Sequence, residues 1–129
     1  MKKTIINPWQ WQDARNYVQA IEVITPQKTL YISGQTAINK HGIASTAPMP
    51  QQLIESIHNL STVLKTAHYP PSSIVQFKVY TTSINELYPH FYLLQDWLKT
   101  NQIKTTLTVI EVKALFETLT IELEAIAVM

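Results

Sequence analysis

The run from Leu119 to Val128 alternates with a period of two, and that constrains this chain more than any other feature. Ile121, Leu123, Ala125 and Ala127 fall on one side, and Thr120, Glu122, Glu124, Ile126 and Val128 on the other. A period of two marks a strand with one apolar face. Ile74 to Tyr80 repeats it, with Val75, Phe77 and Val79 set against Gln76, Lys78 and Tyr80. Such a chain must bury one face of a sheet and leave a mixed face that a monomer covers poorly, with Tyr80, Ile126 and Val128 on it.

What buries the first face is also legible. Pro48 and Pro50 punctuate the start of a helix in which Leu53, Ile57, Leu60 and Leu64 recur at helical spacing. Gln52, Glu55, Asn59 and Lys65 are then expected elsewhere on its surface, and Pro70-Pro71 ends it. Ser83 is suited to N-cap a second helix with Leu87, Phe91, Leu94 and Leu98 as its stripe. Val18 to Ile24 and Thr29 to Gln35 read as strands around a turn at Thr25-Pro26-Gln27, and Thr105 to Val112 as another. Asn39-Lys40-His41-Gly42 is a tight turn in which Gly42 is free to take a positive φ. The order is ββ(β)αβαββ. Each helix has a single apolar stripe, so both lie on one face of the sheet. The expected fold is a single α+β domain over residues 1–129, a mixed six-stranded sheet with two helices on one face. Association across the uncovered face is expected.

Composition narrows the function. The chain has 129 residues and a net charge of +1, enough for one compact core. It has no Cys, hence no disulfide, thiolate nucleophile or Cys-ligated metal. No apolar run approaches the roughly 18 residues of a membrane span. Met1 to Pro8 begins with Lys2 and Lys3 but has no apolar stretch, so it does not read as a signal peptide. A soluble, cytoplasmic protein without membrane partners is expected. Arg15 is the only Arg among ten basic residues, which does not suit a nucleic-acid surface. His41, His58, His68 and His90 show no ligand spacing, and neither a metal nor a cofactor is expected.

Glu122 and Glu124 share a strand face with their backbones roughly 6 to 7 Å apart. Two carboxylates in a partly buried cleft push one proton affinity upward, which suits general acid/base work. The plain alternative is that both pair with lysines on neighbouring strands, Lys78 or Lys113. Ser33-Gly34 closes a strand, where a glycine allows close backbone approach. Trp9, Trp11 and Trp97 suit core or subunit packing.

Four segments, Leu30-Tyr31-Ile32-Ser33-Gly34-Gln35, Asn59 to Leu64, Ile74 to Tyr80 and Thr120 to Val128, stand in an order and spacing that resembles the RidA/YjgF family. These are small trimeric proteins typified by enamine/imine deaminases and often labelled L-PSP endoribonucleases. The resemblance runs from about Tyr17 to Val128. It implies a homotrimer with clefts between subunits. It places Glu122 at the family's catalytic or water-positioning glutamate, Ser33 and Gly34 at the pocket border, and Tyr17 where a hydroxyl reaches the cleft. Ahead of Tyr17, Arg15-Asn16 replaces the usual Gly-Pro.

The departures bear on activity. Aligned backward from Glu122, Leu107 stands where the deaminases carry the Arg that grips a substrate carboxylate. Val109 stands for a frequent pocket Cys, and Phe91 for an Asn on the second helix. Either the ligand is less anionic or differently held, or Leu107 is an ordinary core residue. Arg15, two residues from Tyr17, is the candidate to replace that guanidinium. The expected function is binding of a small-molecule ligand in inter-subunit clefts without 2-aminoacrylate deaminase activity. One alternative is an imine/enamine deaminase or related hydrolase of altered specificity. In it Glu122 orients water, and Ser33, Gly34, Thr106 and Thr108 hold the substrate. On either reading Tyr17, Ser33, Gly34, Leu107 and Glu122 bound the cleft, and Phe91 forms an apolar wall. Cleavage of RNA is the least favoured.

Overall fold

The computed structural model describes residues 1–129. Pro48 occupies the N-cap of helix α1 (Met49–Thr66), with Pro50 in the first turn, where a missing N–H leaves no bond unmade. The anticipated stripe forms: Leu53, Leu60 and Leu64 are buried and Ile57 half-buried. The helix closes before the expected Pro70-Pro71. His68 takes φ 62°, its N–H donates to the Lys65 carbonyl at 3.1 Å, and the Tyr69 N–H donates to the Leu64 carbonyl at 2.9 Å. That is a Schellman closure with histidine in the place usually taken by glycine.

Two polar residues of α1 expected on its surface are structural instead. Gln52 is 1% exposed. Its Nε2 donates to the carbonyls of Ala47 at 3.0 Å and Thr118 at 3.1 Å, and its Oε1 accepts from the Thr120 N–H at 2.9 Å. Asn59 Nδ2 donates to the carbonyls of Thr36 at 2.7 Å and Ile38 at 3.0 Å. Both side chains satisfy backbone groups of segments that leave the sheet, so helix and sheet are stapled by polar bonds as well as apolar contact.

The expected second helix is broken. Ser83 caps α2 (Ile84–Leu87), its Oγ accepting from the Glu86 N–H at 3.2 Å. Pro89 then forces a 3-10 turn over Tyr88–His90 before α3 (Tyr92–Thr100) begins. Leu87, Leu94 and Leu98 nevertheless stay buried, and Phe91 packs half-buried on the core.

Six strands form, in two sheets rather than one. Strand β1 (Lys2–Ile6), which its two lysines disguise as a solvated terminus, pairs antiparallel with β2 (Ala20–Ile24). The larger sheet has the order β3 (Thr29–Gln35), β6 (Ile121–Val128), β4 (Ile74–Thr81), β5 (Thr106–Glu111), with β4–β5 parallel and the other pairs antiparallel. Val18, whose N–H donates to the Thr105 carbonyl at 3.0 Å, ties β5 to the segment entering β2. The bracketed additional strand amounts to a lone bridge between Ile38 and Ala44. In β4, Ile74 pairs with Ala127 and Gln76 with Ile126, so Val75 is extra, and Ile74 takes the buried place expected for it.

The helices cover the face carrying Ile32, Phe77, Val79, Leu123 and Ala125, members of a core of 17 buried residues. Each large side chain there contributes about 1.5–3 kcal/mol through burial. The opposite face is mixed: Tyr80 stands across from Glu122 and Lys78 across from Glu124. Tyr31, paired with Ile126, is 77% exposed. Val128, expected to be left open, is only 5% exposed. No helix is long and apolar enough to cross a membrane.

Candidate functional site

The site begins with an irregularity in β3. Ile32 pairs with Ala125, but the next pair is Gln35 with Leu123, so Ser33 and Gly34 share the space of one residue. The bulge presses the Gly34 backbone against the Glu122 side chain. A Cβ added at Gly34 would stand 2.8 Å from Glu122 Cγ and 2.5 Å from Cδ. That close approach, not an unusual φ, is what requires glycine here. Ser33 lies exposed beside it, its carbonyl accepting from Gln35 Nε2 at 3.1 Å.

Burial, and secondarily the neighbouring Glu124, raise the Glu122 carboxyl above its ordinary value of 4.5. Both causes act in the same direction, and no cation opposes them. A carboxyl held this way exchanges a proton more readily near neutral pH than a free one, as a group orienting or deprotonating water must. Tyr80, directly across the β4–β6 ladder, shares the face. The register alone makes it a neighbour of Glu122, since nothing in its local sequence marks it.

The same shift sets a pH dependence. Glu122 binds its proton more tightly in the folded chain than in the unfolded one, so its ionisation weakens the fold. No penalty exists below the ordinary value of 4.5; it grows as pH rises and is complete above the raised folded value. Glu122→Gln is therefore expected to be more stable than the native chain at pH 7 and equal to it near pH 3.5, in paired urea titrations. A difference independent of pH would exclude this account.

The remaining candidates do not converge with Glu122 in one chain. Leu107 is paired with Phe77 in β5 and packs against the core on the helix-covered side, as does Phe91. Placing them in a cleft with Glu122 is thus not what the single chain does, because strand alternation sends residue 107 to the other face. Thr108, across from Lys78, is exposed on the open face at the β5 edge. Arg15 lies over the Trp11 ring, 5.2 Å from its centroid, and Trp11 meets Tyr17 edge-on at 6.4 Å. Trp9 and Trp11, 57% and 52% exposed, stay out of the core, whereas Trp97 packs on Phe77 at 6.1 Å. Tyr17 lines a separate groove of about 750 Å³ between the N-terminal segment and the end of α3.

Comparison with known proteins gives a consistent result. The endoribonuclease L-PSP family model matches residues 10–129. A RutC family protein of Aquifex aeolicus is 29% identical over 112 residues, 87% of each chain. Among solved structures, the Yersinia pestis protein YyfB, described as a Rid family protein of unknown function, superposes with a TM-score of 0.86 at 26% identity over the whole of both chains. E. coli TdcF, solved with bound serine, superposes with a TM-score of 0.72 at 23% identity, covering 88% of this chain and 87% of its own.

Proposed function

This chain belongs to the endoribonuclease L-PSP family, the RidA/YjgF group, and we propose that it binds a small metabolite in clefts between the subunits of a homotrimer without deaminating 2-aminoacrylate. The observation that carries the reading is the pairing of a preserved feature with a lost one. The lack of a side chain at Gly34 lets the raised Glu122 carboxyl lie against the backbone of the bulge, while Leu107 packs half-buried against the core and supplies no charge. A trimer would lay the Tyr17 loop or β5 edge of one copy against the Gly34–Glu122 corner of another, and cover Tyr31 and Ile126. A ligand of the size of the serine bound in E. coli TdcF fits this reading. The setting we assign is cytoplasmic.

A second reading is favoured by the raised carboxyl itself: an imine/enamine deaminase or related hydrolase of altered specificity, with Glu122 orienting water. RNA cleavage, which the family's description names, has little support from a net charge of +1 and a single Arg.

Light scattering is expected to give three times the chain mass of 14.8 kDa, and a single chain mass at micromolar concentration would remove the inter-subunit cleft. In a coupled assay, 2-aminoacrylate turnover is expected at least tens-fold below that of an arginine-bearing family member, since losing a bidentate carboxylate contact costs about 2–4 kcal/mol. Comparable rates would transfer the gripping role to Arg15 or a lysine and support the second reading.

A further inference from the structure

We infer that the groove between the N-terminal segment and the end of α3 is a second binding site, for a small organic anion with an apolar body. Its volume of about 750 Å³ falls within the range of small-molecule sites. Val18, Leu98 and Ile103, all core residues, form an apolar floor. The polar rim is unequal in a way that selects charge. Two of its acceptors already have partners: Asn7 Oδ1 accepts from the Gln19 N–H at 2.8 Å, and Asp13 Oδ1 accepts from Gln12 Nε2 at 3.2 Å. Lys99 and Lys104, both exposed, bring two ammonium groups to the same rim against that single carboxylate. With two ammonium groups projecting against one carboxylate, the rim favours a carboxylate or phosphate head, and the floor favours hydrocarbon behind it. Flexible lysines also supply the head's positive field without fixing one geometry, which suits a range of such anions.

The groove shares only Tyr17 with the site proposed above; Gly34 and Glu122 do not line it. The two are therefore separable by experiment.

The test uses the full chain in its native assembly, with hexanoate, hexylammonium and inorganic phosphate as probes, followed by calorimetry and amide shifts. Hexanoate is expected to saturate a site whose shifts centre on Ile5, Val18 and Ile103, with phosphate weaker and hexylammonium inactive. Lys99→Glu with Lys104→Glu should weaken hexanoate by about tenfold or more, because two ammonium groups facing the anion become carboxylates. The neutral pair Lys99→Gln with Lys104→Gln should give an intermediate loss, keeping the test sound if charge reversal impairs folding. Glu122→Gln should leave hexanoate binding unchanged, even if the metabolite cleft proves absent. Equal binding of hexylammonium, full affinity in the neutral lysine pair, or shifts centred on Gly34 and Glu122 would overturn the assignment.

Discussion

A Gln52→Leu variant is expected to lose about 3 kcal/mol of folding stability, seen as a fall of roughly 10 °C in the thermal midpoint. Leucine has a similar volume, so the loss comes from hydrogen bonds and not from a cavity. Two carbonyls, of Ala47 and Thr118, lose their donor, and the Thr120 N–H at the entry to β6 loses its acceptor. Each group left unpaired in a dry place costs about 1–3 kcal/mol. Gln52→Glu sharpens the point. It keeps an acceptor toward Thr120 but sets a carboxylate against two carbonyls, so it should be worse than Leu at pH 7. Near pH 4 it should partly recover, once protonation restores a donor. Gln51, the exposed neighbour, supplies the control: Gln51→Leu should stay within about 0.5 kcal/mol of the native chain. Equal effects at positions 51 and 52 would show that the Gln52 bonds do not staple α1 to the sheet.

Gln52 also illustrates what the sequence hides. Its partner Thr118 lies 66 residues away, and a helical pattern read locally marks any glutamine off the apolar stripe as solvent-facing. The faces of β6 and α1 were readable because their periodicity is itself a consequence of which side is buried. The same rule fails where the ladder slips: the extra residue at Val75 exchanges its place with Ile74, and no local signal announces it. Strand β1 is hidden by Lys2 and Lys3, which make five residues look like a terminus although they pair along their whole length with β2. The break between α2 and α3 follows from Pro89, which the continuous stripe from Leu87 to Leu98 conceals. For the candidate site, the bulge in β3 sets Gly34 against Glu122, and the β4–β5 register puts Leu107 on the other face. Which face a residue takes is fixed by pairing across the sheet, and pairing is not a local property.

The bulge at Ser33-Gly34 makes Gly34→Ala the sharpest probe of function. It is expected to reduce any binding or turnover that depends on Glu122 by roughly a hundredfold, the effect of moving a reacting group by about an ångström. The added methyl cannot stand 2.8 Å from Glu122 Cγ, so something must yield. The carboxylate end of a flexible side chain yields more easily than two paired strands, so stability should fall by only about 1 kcal/mol while Glu122 is turned away from the corner. Freed from burial, Glu122 should then titrate closer to its ordinary value of 4.5, and the pH dependence described above should shrink with it. A double-mutant cycle separates this from general damage to β3. In a Glu122→Ala background the clashing atoms are gone, and Gly34→Ala should cost little, a coupling of about 1 kcal/mol. If Gly34→Ala destabilises both backgrounds equally, the glycine serves the strand's own conformation and not the space beside Glu122. If instead the coupling appears while binding survives intact, the Gly34–Glu122 corner is a packing feature and the ligand lies elsewhere.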